Sequence, residues 1–300
     1  PAAPGVIWAG SDDGKVQVTR DGGATWLDRT AKLAAAGGPA GFWTSRVLPS
    51  PHAPGTAFVT KTGWRLDDYR VSVHKTTDFG ETWTSIAGDL PAGKPVNVIV
   101  QDRRNPDLLF VGTEWGVYVT LDGGKTWLPF KANMPSVKVT DLVIHPREND
   151  LVVATYGRGA YVTDITPLQE LTAAVPDEDV HLFDVEPKTQ RITGGIGNYQ
   201  LLGDSHLFTP NEPNAVVVNY YLKDKAAGPV KVTVADPYGT VLAEISAKGE
   251  AGLNGVSWNM RAQRPGQKPG RFPGLGGGGL AAPGEYVVTL EAGGKSLTKK

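Results

Sequence analysis

Few carboxylates in this chain of 300 residues are placed to work as a pair. Asp67 and Asp68 form one acidic dipeptide, and Glu114 stands between Thr113 and Trp115. Cleavage of a glycosidic bond needs a carboxylic acid and a carboxylate flanking that bond, about 5–10 Å apart. Asp67 or Asp68 with Glu114 is the pair that would serve. Ser11-Asp-Asp-Gly14 and Asp67-Asp68 also offer oxygens of the kind Ca²⁺ takes. Both lack the spaced ligands of a calcium loop, so acidic turns are the better reading and no metal or cofactor is expected. The five histidines, His52, His74, His145, His181 and His206, make no His-x-x-x-His pair. With no cysteine there is no disulfide and no thiolate metal site. No Gly-x-Ser-x-Gly nucleophile turn occurs, and Gly195-Ile-Gly197 lacks the rest of a dinucleotide-binding fingerprint.

The carboxylates sit among aromatic and basic residues. Trp64, Arg65, Asp67, Asp68 and Tyr69 share one stretch, Glu114 and Trp115 a second, Tyr156 and Arg158 a third. Phe42 and Trp43 are candidates to join them. Aromatic faces interleaved with carboxylates and arginines suit sugar rings or peptide segments. The alternative is structural: Trp64, Tyr69 and Trp115 pack between elements, while Arg158 and Glu114 pair with each other or with neighbours.

What must position these residues is a repeat. Thr19-Arg-Asp-Gly-Gly-Ala-Thr-Trp26, Thr76-Thr-Asp-Phe-Gly-Glu-Thr-Trp83 and Thr120-Leu-Asp-Gly-Gly-Lys-Thr-Trp127 align without gaps, at intervals of 57 and 44 residues. Such spacing is that of propeller blades, about 40–50 residues each. In each copy the aspartate (Asp21, Asp78, Asp122) accepts turn N–H groups. The glycine (Gly23, Gly80, Gly124) supplies a permissive dihedral, and the tryptophan (Trp26, Trp83, Trp127) buries an apolar face. These nine residues read as hairpin fasteners. Strand-like runs around the boxes give about four four-stranded blades, the first incomplete, with the last leaving the pattern after Ala160–Asp164. The boxes occupy the turns between third and fourth strands. The opposite rim then collects the loops between second and third strands: Ser11–Gly14, Gly63–Arg70, Glu114–Trp115 and Tyr156–Arg158.

The Thr-x-Asp-x-Gly-x-Thr-Trp motif resembles the Asp box of bacterial neuraminidase repeats, also found in sortilin-type propellers and xyloglucanases. With Asn105-Pro-Asp-Leu-Leu-Phe-Val-Gly-Thr113 and Leu151-Val-Val-Ala-Thr-Tyr-Gly-Arg-Gly159 it is similar to bacterial secreted repeat proteins with a sortilin-like propeller, loosely called glycosyl hydrolases. The resemblance spans roughly residues 5–170. It implies a propeller fold and a secreted, periplasmic or cell-surface location. Propellers close with about four to eight blades or more. The remaining blades are therefore expected upstream in the same protein or on a partner chain.

Residues 1–165 are thus expected to be propeller and 166–176 a short helix and linker. Thr166-Pro-Leu-Gln169 carries a capping-box signature, predicting a helix to about Ala174. From 177 to 300, strand-like runs separated by Asp236-Pro-Tyr-Gly239, Lys248-Gly249 and Pro283-Gly284 predict a β-sandwich, with a glycine- and proline-rich loop over 264–283. Gly252-Leu-Asn-Gly-Val-Ser-Trp-Asn259 and Ala282-Pro-Gly-Glu-Tyr-Val-Val-Thr289 resemble the immunoglobulin-like domain of flagellar hook-capping proteins.

The fold class expected is all-β. A formal net charge of −1 with mixed signs argues against nucleic acid as a partner. No apolar run reaches the roughly 18 residues of a membrane-spanning helix. Three functions remain, in this order: recognition of protein or glycan through the loop rim, a structural role in an extracellular assembly, and glycoside hydrolysis.

Overall fold

The computed structural model describes residues 2–131, 133–172, 174–191, 214–263 and 278–300. It forms two compact units, Pro1–Ala173 and Ala174–Lys300. His206 and the Gly195-Ile-Gly197 stretch lie outside the described residues, as does most of the glycine- and proline-rich segment.

The first unit is four antiparallel sheets, each a propeller blade. Blade I holds β1 (Ile7–Gly10), β2 (Val16–Thr19) and β3 (Leu27–Asp28). A short helix α1 (Thr30–Ala35) leads to blade II, which holds β4 (Trp43–Pro49), β5 (Ala57–Thr62), β6 (Val73–Thr76) and β7 (Thr84–Ser85). Blade III holds β8 (Val96–Gln101), β9 (Leu109–Thr113), β10 (Gly116–Thr120) and β11 (Leu128–Phe130). Blade IV holds β12 (Val139–Ile144), β13 (Asp150–Thr155) and β14 (Ala160–Asp164). The Asp box falls between β2 and β3 as it does between β6 and β7 or β10 and β11. Among the described residues blade I therefore has no counterpart of β4, and blade IV none of β7.

Strands in the middle blades are apolar on both faces because both faces are covered. All five residues of β9 are buried. Leu109 and Val111 enter the core shared with blade II, while Phe110 enters the core shared with blade IV. On β5, Ala57 and Val59 pack towards blade I and Phe58 towards blade III. The blades approach closely where side chains are smallest: a Cβ on Gly112 would lie 2.5 Å from Val139 and 2.7 Å from Val98.

A buried polar network also ties blades III and IV. Gln169 Nε2 donates to Asp102 Oδ2 at 2.6 Å and to Asn149 Oδ1 at 3.3 Å. This overturns the expected capping box. Helix α2 runs only from Thr166 to Glu170, and its N-cap, Ile165, makes no side-chain cap bond. The Thr166 N–H instead donates to Asp164 Oδ1 at 2.8 Å. Gln169 is spent on the inter-blade network, and the helix ends at Glu170 rather than near Ala174.

The second unit is a sandwich. One sheet runs β15 (Val180–Leu182), β16 (Val216–Leu222), β19 (Gly252–Trp258). The other runs β18 (Val241–Ala247), β17 (Val230–Ala235), β20 (Val287–Ala292), β21 (Lys295–Lys299). Lettered A to G in chain order, the strands divide as A-B-E and D-C-F-G. Among the described residues this is a two-sheet division of seven antiparallel strands. Inward residues of both sheets share one core, among them Val218, Tyr220, Val232, Trp258 and Leu290. Trp258 meets Tyr286 edge-on at 5.3 Å between ring centroids.

Candidate functional site

The three Asp boxes repeat one geometry. Thr19, Thr76 and Thr120 donate their hydroxyls to Asp21, Asp78 and Asp122 at 2.7, 2.8 and 2.7 Å. The same threonine oxygens accept the N–H of Gly23, Gly80 and Gly124 at 2.9, 2.9 and 3.0 Å. Each aspartate also takes the N–H and hydroxyl of the box's last threonine. For Asp21 the Thr25 hydroxyl, the Thr25 N–H and the Thr19 hydroxyl hold the carboxyl well below its ordinary pKa. Desolvation opposes ionisation of Asp78 and Asp122, yet the Thr82 and Thr126 donors hold both at about 2. Carboxylates so enclosed fasten turns.

The box tryptophans differ. Trp83 meets Trp8 of blade I edge-on at 6.0 Å, and Trp127 Nε1 donates to the Ile86 carbonyl of blade II at 2.9 Å. Trp26, expected to be buried, is 42% exposed. Each buried box tryptophan covers the preceding blade, and none precedes blade I among the described residues.

The rim opposite the boxes is built around the loop joining β5 to β6. Gly63 starts it hard against Phe42, whose ring atoms would lie 2.4 Å from a Cβ there. Phe42 is thus a buried prop, 4% exposed, and not a ligand-facing ring. Residues Trp64–Leu66 form a 3-10 turn, and Asp67 takes a left-handed conformation, φ 56°. The Asp68 N–H returns to the Gly63 carbonyl at 3.1 Å, closing the loop.

Side chains from three blades then meet. The Arg65 guanidinium lies 4.9 Å from the Trp43 ring centroid and 5.1 Å from that of Trp64. Lys138, preceding β12, places its ammonium 5.0 Å from the Trp64 centroid. Lys138 also pairs with Glu114 at 3.0 Å, and the Asn97 amide donates to the same carboxylate at 3.0 Å. Loops of blades II, III and IV are thereby joined, with Trp64 at the centre. Lys138 carries no motif, and sequence reading missed it; its place beside Glu114 and Trp64, immediately before β12, is visible only once the blades are folded.

The remaining candidates are dispersed around this cluster. Tyr69 gives its hydroxyl to Asp67, which raises the phenol's pKa. Asp68 grips Arg70 through Nε and Nη2 at 2.7 to 3.0 Å, and its carboxyl is held below the ordinary range by that grip. Trp115, 56% exposed, and Tyr156, 75% exposed, have no ring contact among the described residues. Arg158 tops the β13–β14 turn, exposed, and does not pair with Glu114. At Ser11–Gly14, Lys15 pairs with Asp13 at 2.9 Å, and the Ser11 hydroxyl with Lys15 lowers that carboxyl to about 2. Among the described residues no three histidine or carboxylate groups converge as a metal site would require.

A general acid needs a carboxyl whose pKa is raised. Asp68 is shifted the opposite way, and Glu114 is paired with Lys138.

No family model matches the chain, and no curated protein matches it. Solved structures do. A GH74 enzyme of Niastella koreensis is 15% identical over 98% of this chain and 42% of its own, with a TM-score of 0.43. The GH74 xyloglucanase of Xanthomonas campestris is 12% identical over 50% of this chain and 24% of its own, at 0.37. YCF48, solved with a D1 peptide bound, is 16% identical over 82% of this chain and 67% of its own, at 0.40. This chain thus spans less than half the length of either GH74 enzyme. The propeller fold is carried by the four blades themselves.

Proposed function

We propose that the propeller unit is a recognition module, acting outside the cytoplasm, that binds a protein or glycan ligand on the rim of strand 2–3 loops. One observation carries this reading: Trp43, Trp64, Arg65, Glu114 and Lys138 from three blades form one surface, flanked by exposed Trp115 and Tyr156. Exposed aromatic groups held by charged neighbours are costly to leave unused on a soluble surface and are enriched at binding sites. The secreted, periplasmic or cell-surface location is supported by the resemblance to secreted Asp-box proteins. A glycan array and polysaccharide-depletion assay tests the module, with Trp64→Ala/Trp115→Ala as the comparison. Saturable binding that falls at least tenfold in a folded double variant supports the rim. Binding that survives the double substitution moves the ligand elsewhere.

A second reading, as a component of an extracellular assembly, is favoured by the outer blades. Trp26 at 42%, Ile7 at 46% and Leu27 at 41% are exposed on blade I. Further blades, in the same protein or on a partner chain, are the occupants such faces fit.

A further inference from the structure

Among the described residues the rim has two cations without an acid partner, Arg65 and Arg158, and of these Arg65 is held against aromatic rings. Lys138 is paired with Glu114 and Arg70 with Asp68, while Asp67 accepts from Tyr69. Arg65 is exposed and makes two contacts among the described residues, both with indole rings. Neither contact is an N–H···O hydrogen bond, so the guanidinium's donors remain for a ligand oxyanion. Two rings hold the group in place, so little side-chain freedom remains to be lost when an oxyanion arrives. A planar fork held this way matches a carboxylate bidentately.

The rim's backbone narrows the kind of molecule. The N–H groups of Leu66, Asp67, Asp68, Glu114 and Tyr156 are already bonded to carbonyls, and that of Trp115 to the Thr113 hydroxyl. Among the described residues these groups offer no free donors to an extended peptide, whose affinity in that mode comes from main-chain bonds. What remains is aromatic faces, Trp115 and Tyr156 foremost, beside the ring-held Arg65 guanidinium and exposed Arg158. Pyranose rings stack on such faces, and a uronic acid adds the carboxylate.

We infer that the rim binds an acidic polysaccharide, with Arg65 as the anchor for a uronate carboxylate. This inference rests on the rim being the binding site. The test uses the full chain and isothermal titration with polygalacturonate and alginate, fully methyl-esterified polygalacturonate, neutral xyloglucan and poly-glutamate. The variants are Arg65→Gln, Arg65→Lys, Trp64→Ala/Trp115→Ala, and Arg147→Gln as an exposed control on a different loop. At least one uronate polymer binds, esterification weakens binding tenfold or more, and Arg65→Gln does the same. Arg65→Lys, which keeps charge and loses the fork, falls between, and Arg147→Gln is unchanged. Near-ultraviolet circular dichroism confirms that each variant is folded. Binding indifferent to esterification or to Arg65→Gln overturns the inference, as does poly-glutamate binding as tightly as uronate. Neutral xyloglucan bound through Trp64 and Trp115 and independent of Arg65 would overturn it while leaving the rim reading intact. No binding to any of the sugars overturns it and removes the glycan form of that reading as well.

Discussion

A single imidazole in blade II makes the fold sensitive to pH. His74 is 3% exposed, its Nδ1 lies 3.4 Å from the Ser72 hydroxyl, and buried Lys61 is the charged group that acts on it. Desolvation, with Lys61's positive charge behind it, pushes the pKa of His74 below the ordinary imidazole value, against a backbone bond at Ala36. Lys61 is itself buried, with its ammonium on the Pro39 carbonyl at 3.0 Å. The folded state therefore keeps His74 neutral where the unfolded chain, titrating near about 6.5, takes a proton. As pH falls below that value the unfolded state binds more protons, and stability declines until the depressed folded pKa is passed. The Asp78 and Asp122 carboxyls, at about 2, lose their contribution only below the ordinary carboxylate range. Urea unfolding between pH 7.5 and 5 should show a falling midpoint that flattens in His74→Gln. An equal slope in that variant would assign the effect to other groups. None of this was legible beforehand, because a histidine in a strand looks the same whether buried or exposed until its neighbours are known.

At the scale of elements, the hairpins were legible and their joints were not. Three copies of one box fixed the blades' spacing, and the last strand expected of the propeller, Ala160–Asp164, is β14 residue for residue. The signal was strong because turn chemistry and a two-residue apolar alternation agree there. Helix α1 went unread although its marks are present: Asp28 accepts the Thr30 N–H at 2.8 Å, and Gly37 ends it with φ 90°. It was masked by having one buried residue, Leu33, and so no periodic face. The capping box failed for a different reason, since Gln169 had a stronger use in a buried network than at a helix end. If the boxes fasten turns, Asp78→Ala should destabilise the propeller unit by about 1–3 kcal/mol, the cost of stranding several donors. Denaturant unfolding measures this. A loss of ligand binding with no loss of stability would instead make Asp78 part of a site.

Across the whole propeller unit, the decisive contrast is between inner and outer blades. On blade IV, Val143, Val152 and Val162 lie directly opposite one another across three strands. Val143 is 54% and Val162 62% exposed, although the reverse face, carrying Leu142 and Val153, is in the core with blade III. In blades II and III both faces are covered, so the same strand chemistry that stabilises them becomes an apolar surface here. Burial of a valine contributes about 1.5–3 kcal/mol, and exposed positions away from special features change stability by about 0.5 kcal/mol or less when substituted. Val143→Thr/Val162→Thr should therefore leave the unfolding free energy of this 300-residue chain within about 1 kcal/mol, while reducing 1-anilinonaphthalene-8-sulfonate fluorescence and any self-association. Destabilisation by several kcal/mol would show that the row is covered when the chain stands alone. The same double variant placed in a longer chain that supplies another blade should cost more, because there the valines would be core. That difference between the two backgrounds, measured by denaturant unfolding, separates a face awaiting a blade from one that merely tolerates water.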